Sequence, residues 1–374
     1  MDFGTLTVIV LAGLAGPLLG VAGTRFVPVM IGEIAAGILV GPAVLGAVDP
    51  GDATTAFLAD VGFAMLMLTV GMHLPLRDPR LLGALRDGGR LAALVCLLAV
   101  PAGFAAAVLA GTGHAAVYAV LLASGSAAVL LPALQETRTE SRAAMTAMAQ
   151  VTVADVLTIL AVPIVLQPAR VGHALLGGLL VVAVAIALTF AGHRAATAER
   201  VHRLRRRSKQ RRWALDLRLS LLALFLLAWL AQKSGTSVLI AGFAAGVMVA
   251  LLGGPHRLSV QTRGVADGFF VPLYFVVLGA GLDVGGLAAS PELLALVAAL
   301  TLLNVAIRLV SVALLRQPAA IALAASAQLG VPAAVASLGL AEHVISASVA
   351  TAIVTAALLS LAVGTAGVER LARG

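Results

Sequence analysis

An aspartate and two threonines share one face of a strongly apolar segment, and their side chains suit the binding of an alkali metal cation. Thr152, Asp155 and Thr158 are three residues apart within AAMTAMAQVTVADVLTILAVPIVL, so a helix places them on the same side. Carboxylate, hydroxyl and carbonyl oxygens are the ligands that hard cations prefer. Seclusion from water favours a protonated acid, whereas a nearby cation favours the carboxylate. Asp155 is therefore predicted to hold either a proton or a metal cation, which is the requirement for antiport.

Arg308 is a second ionisable residue inside an apolar segment, and its charge is opposite to that of Asp155. It lies in LLNVAIRLVSVALL, and arginine keeps its proton at any relevant pH. The two lysines, Lys209 and Lys233, lie between the apolar segments, so no buried amine is available to carry a second proton. The sequence therefore predicts that one proton exchanges for one monovalent cation, with no net movement of charge.

Structural interpretations stand beside the functional ones. Asp155 could form a salt bridge with Arg308 or cap an interrupted helix, which would offset the roughly 2.5–3.5 kcal/mol that a charge costs at the centre of a membrane helix. Arg308 could neutralise a helix end or a structural partner as readily as it could contact an ion. Ionisable residues inside membrane segments are functional by default. We therefore favour the functional interpretation for Asp155 and leave that of Arg308 open.

The composition is typical of a polytopic α-helical membrane protein. Hydrophobic residues make up 61% of the 374 residues, charged residues make up 11%, and the mean hydropathy is +1.06, whereas soluble domains carry about 25% charged residues. Much of the +8 net charge comes from HRAATAERVHRLRRRSKQRRWALDLR, which we interpret as a cytoplasmic anchor. The single cysteine, Cys96, excludes a disulfide framework. We expect a transporter and not an enzyme, with no cofactor and no nucleic-acid partner.

Breaks in the apolar pattern divide the chain into thirteen candidate membrane spans, each close to the about 20 residues that cross a bilayer. The first begins at the N-terminus, which lacks the basic region of a signal peptide. Spans 1 to 13 are predicted at 4–22, 27–47, 55–74, 91–110, 115–135, 143–166, 174–192, 215–232, 236–252, 268–287, 291–315, 319–341 and 345–367. Segments on one side of the membrane hold 22 of the 25 lysines and arginines. This asymmetry places the N-terminus outside and the C-terminus in the cytoplasm of a cell (inner) membrane.

Two short sequence matches indicate that the chain contains an inverted repeat. IAAGILV at 34–40 matches FAAGVMV at 243–249, and LTVGMHL at 68–74 matches VVLGAGL at 276–282. The charge alternation makes span 2 run outward and span 9 run inward, so the two halves have opposite topology. Inverted repeats are typical of secondary transporters, whose binding site lies near mid-membrane between the repeats.

Spans 5 and 12 occupy matching positions in the two repeats, and both contain residues that interrupt a helix. LLASGSAAVLLPAL in span 5 and AASAQLGVPAAVAS in span 12 each place small and polar residues before a proline. We predict two broken crossing helices, which expose backbone carbonyls and helix ends at the site. Small-residue packing around a proline kink is the alternative.

The candidate site therefore consists of a core set and a wider accessory set. The ion- and proton-binding residues are Asp155, Thr152, Thr158, Ser124 and Ser126, with Arg308 as the charge-compensating residue. The accessory candidates are Glu33, Gln328, Asn304 and Gln150. For Glu33, near the cytoplasmic start of span 2, a structural cap or loop partner is favoured over an ion ligand. The metal bound at Asp155 is a transported Na⁺ or K⁺.

At these residues the chain resembles the monovalent cation–proton antiporters of the sodium/hydrogen exchanger and Kef-type kind. The resemblance covers essentially the whole chain and is carried by PVMIGEIAAGILVGPAVLG, ADVGFAMLMLTVGMHL, the SGS break followed by QVTVADVLTIL, FFVPLYFVVLGAGLDV, and NVAIRLVSVALL followed by AQLGVPAAVASLGLAEHVIS. It implies that Asp155 binds the transported ion and that Arg308 takes the basic position of span 11, as in electroneutral members. Ala154 departs from the Asn, Asp or Gln that usually precedes the aspartate.

The resemblance also implies a homodimer with two structural roles along each chain. Spans 1–3 (residues 1–90) and 8–10 (215–290) would form a dimer scaffold, and spans 4–6 (91–172) and 11–13 (291–374) a moving core. Residues 173–214 would form a linker helix and the basic cytoplasmic loop. The expected partners are Na⁺ or K⁺ and H⁺ as substrates, membrane lipids and a second copy of the chain. A channel-like K⁺ efflux pathway and an antiporter-like subunit without transport of its own are the alternatives.

Overall fold

A computed structural model describes residues 1–22, 29–74, 79–139, 141–168, 171–197, 213–253 and 256–373. The described helices are α1 (Phe3–Gly13), α2 (Ala15–Ala22), α3 (Val29–Val40), α4 (Ala53–Met72), α5 (Pro79–Leu109), α6 (Ala115–Ala123), α7 (Ala127–Glu136), α8 (Arg142–Leu166), α9 (Val171–Thr197), α10 (Leu215–Ser234), α11 (Val238–Leu252), α12 (His256–Val265), α13 (Val271–Ala280), α14 (Val284–Ala289), α15 (Pro291–Leu314), α16 (Ala319–Ala325), α17 (Gly330–Ala341) and α18 (Ala347–Arg373). A π-helical turn, Ala266–Phe270, joins α12 to α13. Much of the predicted basic loop, residues 198–212, lies outside the described residues.

The helices confirm an all-α polytopic membrane fold. Ten helical stretches of the described residues are long and apolar enough to cross a membrane. Three shorter apolar helices, Phe3–Leu19, Val29–Val40 and Val238–Leu252, accompany them. Each of these stretches overlaps one predicted span, so the order of the spans along the chain agrees with the sequence prediction.

Several predicted span limits were wrong because the helices do not begin or end where the apolar sequence does. Span 4 begins at Pro79 and not at residue 91, because the helix continues through an amphipathic stretch in which Leu81 and Ala84 are buried and Arg86 is exposed. Averaged hydropathy does not detect such a face. Span 10 comprises two helices, since α13 ends at Ala280 and Asp283 caps the separate helix α14.

The described chain forms two compact units. The first consists of residues 1–59, 78–166 and 272–374, and the second of residues 60–77 and 167–271. Every residue of the predicted site lies in the first unit, which contains α1–α3, α5–α8 and α13–α18. The site can therefore be described within this unit alone.

Two glycine pairs support the internal repeat. In the first unit, a Cβ at Gly37 of α3 would lie 2.2 Å from a carbonyl oxygen of α13 and 3.0 Å from the Cα of Gly279. In the second unit, a Cβ at Gly246 of α11 would lie 2.3 Å from a carbonyl oxygen of α4 and 2.7 Å from the Cα of Gly71. Gly37 and Gly246 occupy equivalent positions in one pair of matched sequences, and Gly279 and Gly71 in the other. The same close helix contact is therefore present in both units. Only glycine permits backbones to approach this closely.

Spans 5 and 12 are broken helices, as predicted. In span 5, α6 ends at Ala123 and α7 begins at Ala127, and in span 12, α16 ends at Ala325 and α17 begins at Gly330. The first break is extended, with φ −69° and ψ 158° at its first residue, Ser124. Two helix C-termini and two helix N-termini therefore lie inside the first unit, where other groups must satisfy their unpaired backbone atoms.

Candidate ion-binding site

Asp155 lies at the midpoint of α8 and is only 2% exposed. Its Oδ2 accepts a hydrogen bond of 2.9 Å from the backbone N–H of Ala127, the first residue of α7. The N-cap residue of α7, Ser126, forms no side-chain capping bond. The carboxylate therefore replaces the usual cap and lies at the positive end of the helix dipole. A carboxylate has about four acceptor sites, so one hydrogen bond leaves Asp155 able to take a proton or a cation.

Arg308 of α15 is 1% exposed and donates hydrogen bonds to the C-terminal ends of both interrupted helices. Its Nη1 donates to the Leu122 carbonyl (3.0 Å), its Nη2 to the Ser124 carbonyl, and its Nε to the Ala325 carbonyl (3.0 Å). Such carbonyls lack partners within their own helices, and a cation compensates the negative end of a helix dipole. In the described part of the chain, no ion pair within 4.0 Å joins Arg308 to Asp155. The sequence left open whether Arg308 neutralises a helix end, pairs with a structural partner or contacts an ion. In the structure, Arg308 neutralises helix ends.

Two buried amide side chains extend this network. Asn304 Nδ2 donates to the Ser326 carbonyl (2.8 Å), and Asn304 Oδ1 accepts from Gln328 Nε2 (3.0 Å) and from the buried guanidinium. Gln328 Nε2 also donates to the carbonyls of Leu121 (2.7 Å) and Ser124 (3.1 Å). The side chains of spans 11 and 12 are thus bonded to the backbone of span 5. These accessory candidates contact helix ends and each other, and neither is hydrogen-bonded to Asp155.

The two predicted threonine ligands differ in what they contact. Thr158 donates to the carbonyl of Ala154 (2.7 Å), one turn back in α8. The Oγ1 of Thr152 is buried, and among the described residues it has no hydrogen-bond partner. The same holds for the Oε1 of Gln150, which lies about 140° around the helix from Asp155, whereas Thr152 lies about 60° away. Of these two unpaired groups on α8, the hydroxyl of Thr152 therefore lies nearer in angle to the carboxylate.

The remaining predicted residues are buried as well. Ser124 and Ser126 lie in the break of span 5, where the hydroxyl of Ser124 donates to the Leu121 carbonyl (2.8 Å). Glu33 is 3% exposed in α3, and its Cγ lies where a Cβ on Gly16 of α2 would come within 3.0 Å. Glu33 thus belongs to the α2–α3 region, and no hydrogen bond joins it to Asp155 among the described residues.

Some groups of the site could not be inferred from residue types. The Ala127 N–H and the carbonyls at the ends of α6 and α16 are backbone atoms that any residue carries. Ser360 of α18 is a side chain that the sequence analysis missed, and its hydroxyl accepts a hydrogen bond of 3.1 Å from the backbone N–H of Gln328. Its only sequence signal is a lone hydroxyl within an apolar span.

Comparison with known proteins decides the class of the protein. The sequence profile described as sodium/hydrogen exchanger, transmembrane, matches residues 6–374. The chain belongs to the sodium/hydrogen exchanger family. Its members are secondary transporters and not enzymes, so the predicted family and class are confirmed, as is the prediction of a multi-pass membrane protein.

Individual relatives of this exchanger-family chain are distant. The Na(+)/H(+)-K(+) antiporter GerN of Bacillus cereus is 23% identical over 276 residues, which cover 70% of this chain and 67% of GerN. The putative Na(+)/H(+) antiporter YjbQ of Bacillus subtilis (strain 168) is 24% identical over 335 residues, which cover 84% of this chain but only 53% of YjbQ. This chain therefore spans about half the length of that second relative.

A solved structure shows that the fold is shared. The sodium proton antiporter MjNhaP1 from Methanocaldococcus jannaschii, solved at pH 8, superimposes with a TM-score of 0.67. The superposition covers 98% of this chain and 96% of that chain at 17% sequence identity. The exchanger-family fold is therefore present over nearly the full chain.

Proposed function

We propose that this exchanger-family protein exchanges one monovalent cation, Na⁺ or K⁺, for one H⁺ by alternating access across the cell membrane. The observation that carries the proposal is the environment of Asp155, which is buried at the centre of α8 and has no cationic side chain within 4.0 Å in the described part of the chain. The hydrogen-bond donor that meets its charge is the backbone N–H at the N-terminus of α7. A bound proton or alkali cation completes its neutralisation.

The cation would be held by oxygen atoms around Asp155. The unpaired hydroxyl of Thr152 supports this assignment, because a buried polar atom without a partner costs about 1–3 kcal/mol. Such a group in a native structure calls for a ligand, an ion or an ordered water. Ser124 and Ser126 would contribute oxygens from the break of span 5, while the hydroxyls of Ser124 and Thr158, each already bonded to its own helix, would contribute less than that of Thr152.

The stoichiometry follows from the charges that the site can change. Asp155 is neutralised equally by one H⁺ or one monovalent cation, so both loaded forms carry the same net charge. Arg308 keeps its proton, and its bonds to the helix ends hold it in place in both forms. The exchange is therefore proposed to be electroneutral, with one ion moved in each direction.

Relatives support the choice of substrates. GerN is named as an antiporter of Na⁺, H⁺ and K⁺, and YjbQ as a putative antiporter of Na⁺ and H⁺. We propose the same class of substrates for this chain. We further propose a homodimer with the N-terminus outside and the C-terminus in the cytoplasm. Residues 1–90 and 215–290 would form its scaffold, and residues 91–172 and 291–374 its moving core.

Proteoliposomes with an imposed pH gradient test the proposal. Purified protein is expected to couple proton flux to the addition of Na⁺ or K⁺, and Asp155→Asn is expected to abolish that coupling. Glu292→Gln makes the same chemical change at an exposed position at the start of α15, and it should retain the wild-type rate. With Na⁺ as cargo, the rate should not change when the membrane potential is clamped to different values.

The other outcomes identify the alternatives. Cation flux that does not depend on pH and that is retained in Asp155→Asn would indicate a channel-like pathway. Absence of any exchange by well-folded wild-type protein would indicate a subunit that needs a partner. A rate that changes with membrane potential would contradict the one-to-one stoichiometry.

A further inference from the structure

We propose that Asn304 and Gln328 are positioning residues for the ion site, because together they hold the end of α6 and thereby set where the N-terminus of α7 meets Asp155. The inference rests on the proposed function of Asp155 and deepens it. Neither amide is hydrogen-bonded to Asp155, so each would act through the backbone of the span 5 break.

Gln328 connects the two broken helices directly. Its side chain originates in the break of span 12 and donates to the carbonyls of Leu121 (2.7 Å) and Ser124 (3.1 Å) at the end of α6. Its own backbone N–H is bonded to the hydroxyl of Ser360 (3.1 Å). The residue is 6% exposed, so water cannot readily replace these bonds. A fixed donor therefore holds the C-terminal end of α6.

Asn304 orients that donor. Its Nδ2 donates to the Ser326 carbonyl (2.8 Å), which directs its Oδ1 to the opposite side. There Oδ1 accepts hydrogen bonds from Gln328 Nε2 (3.0 Å) and from Arg308, which lies one turn further along α15. An amide presents an acceptor on one side and donors on the other. The bond to Ser326 thus determines which side of the Asn304 amide faces Gln328 and Arg308.

The break of span 5 transmits this position to the carboxylate. Only three residues, 124–126, separate the end of α6 from Ala127, whose N–H donates to Asp155. Three extended residues reach only about 10 Å, so a shift of the Ser124 carbonyl moves the first N–H of α7. Hydrogen bonds weaken steeply once their angle falls toward ~120°. Arg308 still bonds to Ser124 when Gln328 is changed, so the expected effect is a change in affinity and not loss of the fold.

The test separates cation affinity from turnover. Partners that orient ligands typically change metal affinity by about 10–100-fold when removed. Gln328→Met and Asn304→Leu are therefore expected to raise the KM for Na⁺ or K⁺ at least about tenfold, with a smaller change in maximal rate. The pH profile of exchange should shift with it, since the same carboxylate binds H⁺. Asn304→Asp keeps the Oδ1 acceptor and should recover part of the affinity.

A matched control makes the same replacement outside the network. Gln135→Met lies at the exposed end of α7 and should leave KM and the pH profile unchanged. Melting temperatures measured with and without Na⁺ or K⁺ provide a second readout. In the two network variants, the stabilisation by cation should be smaller than in the wild type.

Two results would overturn the inference. One is a wild-type KM in folded Gln328→Met and Asn304→Leu, and the other is a loss confined to maximal rate with the cation stabilisation intact. If both variants fail to fold, Asn304→Asp decides, because a wild-type KM and pH profile there would contradict positioning. Retained exchange by Asp155→Asn would overturn the proposed function itself. An inactive Asp155→Asn beside unaffected amide variants would overturn only the positioning role.

Discussion

Replacing Arg308 with methionine tests two claims. The first is that the arginine holds the helix ends, and the second is that Asp155 is not paired with it. The variant removes the side-chain donors to the carbonyls of Leu122, Ser124 and Ala325. Ser124 keeps the bond from Gln328, and the Asn304 carbonyl, which also accepts from Arg308, lies inside α15. Two buried carbonyls at helix ends, those of Leu122 and Ala325, therefore lose their only side-chain donor among the described residues. At about 1–3 kcal/mol for each unsatisfied group, Arg308→Met should lower the free energy of unfolding by about 2–6 kcal/mol. Relief from burying a charge brings the value toward the lower end.

The assay compares melting temperatures of the purified protein in detergent for three variants. Arg308→Met should melt well below the wild type. Arg308→Lys should fall between them, because an ammonium group keeps the charge but lacks the planar fork that reaches several carbonyls. Asp155→Asn should melt at or above the wild-type temperature, since its amide oxygen can still accept from Ala127 and one buried charge is removed.

If Arg308→Met is as stable as the wild type, the carbonyl bonds do not contribute as calculated. If Asp155→Asn destabilises the protein as much as Arg308→Met does, the two residues form one structural unit. The proposed division between a carboxylate that binds cargo and a guanidinium that holds the helices would then be wrong.

Three further predictions concern other parts of the molecule. Gly37→Ala should destabilise the protein by about 1–3 kcal/mol or more in a denaturation assay, because its Cβ would lie 2.2 Å from a backbone oxygen, whereas Gly172→Ala, with no atom within 4 Å, should not. Thr152→Val should raise the cation KM without lowering the melting temperature, and Thr158→Val should change KM far less, since of these two threonines it is Thr152 that has an unpaired hydroxyl. Asp283 lies beyond the membrane-crossing stretch Val260–Ala280, and a backbone N–H of α14 and a serine hydroxyl lower the pKa of Asp283. Its carboxylate therefore stabilises the fold above the ordinary carboxyl pKa of about 4, and this contribution is lost on further acidification. Asp283→Ala should therefore flatten the acid side of a plot of melting temperature against pH.

Several features of the fold and of the site could be predicted from the amino-acid sequence. The apolar runs predicted, in order, the ten membrane-crossing stretches and three shorter apolar helices of the described residues, because a bilayer demands about 20 apolar residues per helix whatever the fold. Asp155 and Arg308 were recognisable since a charge inside such a run is costly. The breaks of spans 5 and 12 were predictable from small residues followed by proline. The ends of helices were harder to predict from the sequence. The start of α5 was missed because the first turns of this helix are amphipathic.

The pairing of these groups was decided by tertiary structure. The sequence favoured a functional role for Asp155 but left a salt bridge with Arg308 as an alternative, because a one-dimensional pattern contains no distance between spans 6 and 11. In the folded chain, the positive end of α7 meets Asp155 and the negative ends of α6 and α16 meet Arg308. Helix ends are backbone features that become charged partners only when a helix is interrupted at the right place beside them. Residue types thus determined which groups are available, and the crossing of the two broken helices determined what each group contacts.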